Sequence, residues 1–325
     1  MFQPLCSKAS QNIEVIKELL DEHEWLSANA PTAARRTEIK TFSVSSAITR
    51  LYAIYELYVE TILSDYLDIL ADLINYSELP EGLRTEYRLG ISHILSRIDQ
   101  GRYSHLNHEN VVSKYHAAVS SAEPYQFVTD ALVRHEQNLR LNILNNLFSR
   151  LGLDNFESWV TTHPLMIDCY DSDTITKENI ESRLKDIVDL RNDASHGEID
   201  NLVNVDIMKS NCDFIASLLE VIRQFVTKNL IIQMEKKEKA IKLGKVTESF
   251  GNNGAFILRA NNGISVSTSD KIFIKGTNSF ISQDIQSIRI DEEGLETVNV
   301  VDENTEIGIK CAEKVRKNTY LYKEI

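Results

Sequence analysis

In the segment "FSVSSAITRLYAIYELYVETILSDYLDILADLI" the apolar positions Val44, Ile48, Leu51, Tyr55, Tyr58, Ile62, Tyr66, Ile69 and Leu73 recur every three or four residues. Side chains at that period return to one face of an α-helix, so the spacing predicts a single long helix with a wide buried face. Pro80 stands just beyond it as a stop. Shorter helical stretches are expected over roughly 81–99, 107–120 and 125–151. The segment "TKENIESRLKDIVDL" keeps the helical period through Ile180, Leu184, Ile187 and Val188. Thr176 is placed to cap its start, and Glu178 suits a first turn, where a carboxylate meets the positive end of the helix dipole. A further long helix is expected over roughly 203–242.

Beyond Lys242 the pattern shortens. The runs "KVTESF", "AFILRA", "KIFIKG", "IQSIRI", "ETVNVV", "EIGIK" and "TYLYKEI" are rich in β-branched and aromatic residues, and "GNNG", "NNG" and "EEG" stand between them as turns. Seven of the 12 glycines fall here, so the turn chemistry is concentrated in the last quarter of the chain. Short strands at this spacing predict a small antiparallel β-barrel. The expected organisation is an all-α domain over 1–243, an up-and-down bundle with extra helices, followed by a barrel over 244–325. The charged tract "EKKEKAIK" before the border reads as the solvated end of a long helix.

Composition narrows the class. With 325 residues, 42% hydrophobic and 26% charged, the chain can bury two cores and reads as a soluble globular protein. It has no run of 18 apolar residues, so no membrane span is expected. The start "MFQPLCSKAS" lacks a basic segment followed by an apolar one, so no signal peptide is expected and the location reads as cytoplasmic. Cys6, Cys169, Cys212 and Cys311 lie far apart and read as reduced thiols. The net charge is −13, of which only −2 belongs to 244–325. That excludes a broad basic field with general nucleic-acid affinity. A local site for one RNA strand stays open, because net charge governs steering and not a particular pocket.

Few enzyme motifs occur. The chain has no GxSxG, HExxH, CxxC, GxGxxG after a strand, or GxxxxGK[ST], and neither a cofactor nor a metal ion is expected. His105 and His108 in "HLNH" could share a helix face, but without further ligands they read as a solvated helix start. Three segments place an arginine shortly before a histidine: Arg88–His93, Arg102–His108 and Arg191–His196. On an unbroken helix, residues five apart point about 140° away from each other. Convergence of Arg191 and His196 therefore requires the helix to end or bend between them. The polar "NDAS" and then Gly197 favour such an end.

The segment "RLKDIVDLRNDASHG" resembles the signature of the HEPN superfamily, all-helical nucleases of prokaryotic defence and toxin systems. "RLYAIYELYVETIL" resembles the first core helix of that group, with Glu56 at its acidic position, and the resemblance covers about residues 40–240. It implies a metal-independent endoribonuclease with Arg191 and His196 catalytic and Asn192 and Glu56 in support, Glu56 orienting Arg191. It also implies a homodimer that brings two motifs together, with RNA as substrate and an antitoxin as a possible partner. Asp193 is the residue that fits an anionic substrate least. The pieces "GKVTESF", "SVSTSDKIFIKG", "IQSIRID" and "EIGIKCAEKVRKNTYLYK" resemble the second domain of translation elongation factors, with Ser269 where that family often has glycine. That likeness implies a docking barrel for a translation component or protein partner. The rival reading is a non-catalytic helical dimer that serves as a binding scaffold.

Overall fold

The computed structural model describes every residue except 121–123, 171, 197–203, 252, 292 and 303–304. Two compact units divide the chain, Met1–Val226 and Thr227–Ile325. The expected border at 243/244 instead leaves the last long helix whole on the helical side.

The described residues of the first unit begin with α1 (Gln3–Ala28) and α2 (Ala33–Leu73). These helices pack on each other. α1 carries Cys6, Ile13, Ile16 and Leu20 inward, a helix the apolar pattern above does not single out. Thr32 starts α2: its hydroxyl accepts from the Arg35 N–H at 3.1 Å, satisfying a donor that the first helical turn leaves unpaired. Most of the apolar stripe is buried as its period requires, with Val44, Ile48, Leu51, Tyr55, Tyr58, Ile62 and Tyr66 all at 2% exposure or less, while Ile69 and Leu73 are half-buried. Truncating one such side chain to alanine costs about 2–5 kcal/mol.

Next come α3 (Glu81–Leu95), α4 (His108–Val119), α5 (Asp130–Val133), α6 (Leu141–Arg150), α7 (Phe156–Thr162) and α8 (Pro164–Asp168). The helix expected over 125–151 is thus two short helices with the loop 134–140 between them. α9 (Lys177–His196) packs against α2 through Ile180, Leu184, Ile187 and Val188. α10 (Val205–Lys236) is the last helix; it stops short of the expected residue 242 because the first strand already begins at Ala240. In this unit Glu220 accepts from Arg223 at 2.7 and 2.6 Å and from Gln224 at 2.9 Å. Burial alone would raise the Glu220 carboxyl, but the Arg223 guanidinium outweighs it and holds the group below its usual range.

The second unit holds an antiparallel sheet of eight strands. β1 (Ala240–Phe250) and β2 (Ala255–Ala260) form a hairpin, and β10 (Tyr320–Glu324) returns along the other side of β1. β4 (Lys271–Lys275) and β5 (Phe280–Asp284) extend the sheet past β10. β9 (Glu306–Lys310), β6 (Ser287–Ile290) and β7 (Glu293–Leu295) extend it past β2. β3 (Ser265–Ser267) and β8 (Thr297–Asn299) make a separate pair. Among the described residues the pairing runs from β5 to β7 and does not close, so the sheet is open rather than the expected closed barrel. Alternation sets its core: Phe256 and Leu258 of β2 and Ile307 and Ile309 of β9 point inward. Gly244 sits at a bulge in β1, where a Cβ would lie 2.1 Å from the Arg259 carbonyl oxygen. The four cysteines are free, and no helix among the described residues is long and apolar enough to cross a membrane.

Candidate functional site

Tyr52, Glu56 and Glu60 follow one another at four-residue spacing on α2 and so line one of its faces. α9 and the loop 134–140 meet this face. Tyr52 is buried. Its hydroxyl accepts from the Leu139 N–H at 2.9 Å and donates to Asn138 Oδ1 at 3.4 Å. Burial pushes the Tyr52 phenol up to about 12, so the ring stays neutral. The Arg191 guanidinium lies 4.8 Å from the ring centroid, within reach of the negative π face. Arg191 Nη1 donates to Asn192 Oδ1 at 3.1 Å, and Asn138 Nδ2 donates to the same oxygen at 3.4 Å. The half-buried Arg191 is thereby held by a ring on one side and an amide on the other. Its Nε and Nη2, and the Asn192 amide nitrogen, have no hydrogen-bond partner among the described residues.

Glu56 does not pair with Arg191; both residues act on Tyr52 instead. The carboxylate faces His135, with Glu56 Oε1 at 3.9 Å and Glu60 Oε1 at 3.1 Å from His135 Nε2. His135 Nδ1 meets the Gln137 carbonyl at 2.9 Å. With acceptors at both ring nitrogens, the geometry favours the doubly protonated imidazole, which donates twice. Burial opposes that charge, but Glu60, the Gln137 carbonyl and Glu56 outweigh it and raise His135 above its ordinary 6.5.

His196 ends α9, exposed, with no hydrogen bond or ion pair among the described residues. The expected helix end between Arg191 and His196 is absent, because α9 runs unbroken through both. Ala194 is a strong helix former, and Ser195 Oγ donates to the Arg191 carbonyl at 2.9 Å. Ser195 thus bonds the turn it was expected to stop. Gly197 lies outside the described residues. On this helix Arg191 and His196 point about 140° apart and stand about 7.5 Å apart along the axis. Asn192 and His196, four residues apart, share a face.

Asp193 is exposed and has no ion-pair partner among the described residues. Asp189, one turn earlier, is neutralised by Arg140 at 2.8 Å and Lys185 at 2.7 Å. The competing Arg–His segments are committed elsewhere. His93 lies 3.5 Å from both Arg97 and Glu136. Arg102 donates to the His135 carbonyl at 2.9 Å, and His108 opens α4.

Sequence reasoning reached Arg191, Asn192, His196 and Glu56 and passed over Tyr52, Glu60, His135 and Asn138. The four-residue spacing of Tyr52, Glu56 and Glu60 was a usable signal. His135 and Asn138 carried none, since the loop that bears them read as helix.

A family model described as RiboL-PSP-HEPN matches residues 10–228, which is most of the chain. No curated protein matches the chain.

Proposed function

The chain belongs to the RiboL-PSP-HEPN family, and from that membership we propose that it is an endoribonuclease cutting RNA through its own 2′-hydroxyl, with Arg191 and His196 as the reacting groups. One observation carries the reading: Arg191 is fixed by Tyr52 and Asn192 yet keeps guanidinium donors unspent, on the same terminal turns of α9 that present His196. A guanidinium fork matches the charge that builds on phosphorus oxygens in the transition state. A histidine takes the proton from the 2′-oxygen as the new O–P bond forms, and a second histidine gives a proton to the departing 5′-oxygen. The products are a 2′,3′-cyclic phosphate and a 5′-hydroxyl.

One chain supplies one such histidine, and its Arg191 and His196 point apart. Two chains joined across a two-fold axis supply both the base and the acid, so the working unit is a homodimer. Asn192, on the His196 face, donates its amide N–H to the phosphate. This reading places the protein in a toxin or anti-phage system, with the open sheet as a docking element for a translation component or partner protein. The test is RNA cleavage in EDTA: Arg191→Ala and His196→Ala each lose it while remaining folded, with a cooperative unfolding transition. Wild-type cleavage by either variant removes that residue from the mechanism.

The second reading is a non-catalytic scaffold. It is favoured by the way Arg191 bridges α9 to Tyr52 of α2, a role that stabilises the bundle without any substrate.

A further inference from the structure

Beside the His135 cluster, α2, the segment 102–105 and α5 enclose a cavity of about 290 Å³. Its lining includes Glu60, Ser64, Arg102, His105, Asp130 and Arg134. The polar atoms there are half used. Asp130 Oδ1 meets His105 Nε2 at 3.1 Å, and Glu60 Oε1 meets His135 Nε2 at 3.1 Å. The second oxygen of each carboxylate has no partner among the described residues. Arg134 spends only Nε, on the Ala131 carbonyl at 3.3 Å, and Arg102 spends Nη1 on the His135 carbonyl at 2.9 Å. Neither arginine has an ion-pair partner among the described residues. Their field is felt nearby: burial lowers the His93 pKa, and Arg134, Arg97 and Arg102 lower it further.

We infer that this cavity binds a guanine nucleotide of the RNA strand. Glu60 and Asp130 each keep one free oxygen to accept one N–H, and guanine is the base that presents two adjacent N–H donors, at N1 and N2. Guanine also presents O6 and N7, the acceptor pair that a guanidinium meets bidentately. Adenine, cytosine and uracil each offer a single donor group on the pairing edge, so a site with two free carboxylate oxygens and two unpaired guanidiniums leaves groups unmatched with them. Unmatched polar groups in a partly closed cavity discriminate strongly. The cavity shares helix α2 with the proposed cleavage site. Glu60 lines it and binds His135, and Tyr52, two turns back on α2, holds Arg191. The separation along the helix is about 12 Å. That places the guanine on a neighbouring nucleotide of the strand and not at the scissile bond.

This assignment of the neighbouring nucleotide rests on the ribonuclease reading; binding in the cavity does not. The full-length protein is titrated with 5′-GMP, AMP, CMP and UMP in a calorimeter. GMP is expected to bind at least tenfold tighter than the other three. Asp130→Asn and Arg134→Gln, checked by unfolding midpoint, each weaken GMP at least tenfold; if either fails to fold, Arg102→Gln takes its place. Equal binding of all four nucleotides, or GMP binding unaltered in the folded variants, overturns the proposal. In parallel, wild-type protein cleaves RNA oligomers carrying one guanine at successive positions. Preference for guanine at a fixed distance from the cut is expected, and cleavage indifferent to guanine overturns the link between cavity and strand. GMP binding without any RNA cleavage overturns the ribonuclease reading alone and leaves a guanine-nucleotide site.

Discussion

Arg191 gains its value from what is left over after it is fixed. The ring of Tyr52 and the oxygen of Asn192 hold the guanidinium without a carboxylate, so its full charge remains for an anion. Lysine keeps the charge but loses the planar fork. Arg191→Lys is therefore expected to lower kcat/KM about 10²–10³-fold, the range for losing one transition-state donor, with a stability change of about 1 kcal/mol or less. Paired kinetics and urea unfolding check this, and cleavage near the wild-type rate would contradict it. His135 makes a different statement. Its folded pKa lies above the ordinary 6.5, so its stabilising contribution is complete below about pH 6.5 and fades as pH rises through the higher folded value. The stability gap between wild type and His135→Asn should shrink with rising pH above 6.5, measured by urea midpoints from acid to mildly alkaline buffer. A gap that widens with pH would show that His135 is neutral in the folded state. At this scale the sequence revealed the residues with a motif and hid those without one. Arg191 and His196 are legible as a pair, while His135 matters only because the chain folds Glu60 beside it.

At the scale of elements, legibility followed period and length. α2 and α9 were readable because long apolar stripes repeat at 3.6 residues and tolerate local noise. The stretch 125–151 was not, because its helices are too short to repeat an apolar stripe: Leu132 and Val133 are buried on the four-residue α5, Leu144 and Leu147 on the ten-residue α6. β3, β5 and β7 escaped because "SVS", "FISQD" and "EGL" each mix only one or two apolar residues with polar or turn-forming ones. α9 runs through "NDAS", where Ser195 bonds the preceding turn instead of breaking it. One element contact was visible only in three dimensions. Gly90 of α3 lets α5 approach so closely that a Cβ there would lie 2.0 Å from the Ala131 carbonyl oxygen. Gly90→Ala replaces a poor helix former with the best, worth about 1 kcal/mol on an open surface. Here the clash is expected to win, with net destabilisation of about 1–3 kcal/mol. A raised melting temperature in this variant would show that α5 yields freely.

At the scale of the whole molecule, the chain resolves into a helical unit, which carries nearly all of the family match, and an open antiparallel sheet. A net charge of −13 argues against general attraction to RNA, so on the proposed ribonuclease reading substrate capture has to be local. The unpaired Arg102 and Arg134 beside the cluster supply such a locality. Dimerisation is the claim that belongs here. If one site needs histidines from two chains, hybrids of wild-type and His196→Ala chains are inactive. Activity in mixtures refolded together then falls as the square of the wild-type fraction. A linear fall would mean that each chain cuts alone.

The chemistry itself is tested most directly by the ends it leaves. Purified full-length protein is incubated with a defined RNA oligomer in EDTA, and the products are weighed by mass spectrometry beside those of His196→Ala. Fragments bearing 2′,3′-cyclic phosphate and 5′-hydroxyl ends, absent with His196→Ala, are the predicted result. Fragments with 3′-hydroxyl and 5′-phosphate ends, or identical cleavage by both proteins, would contradict it.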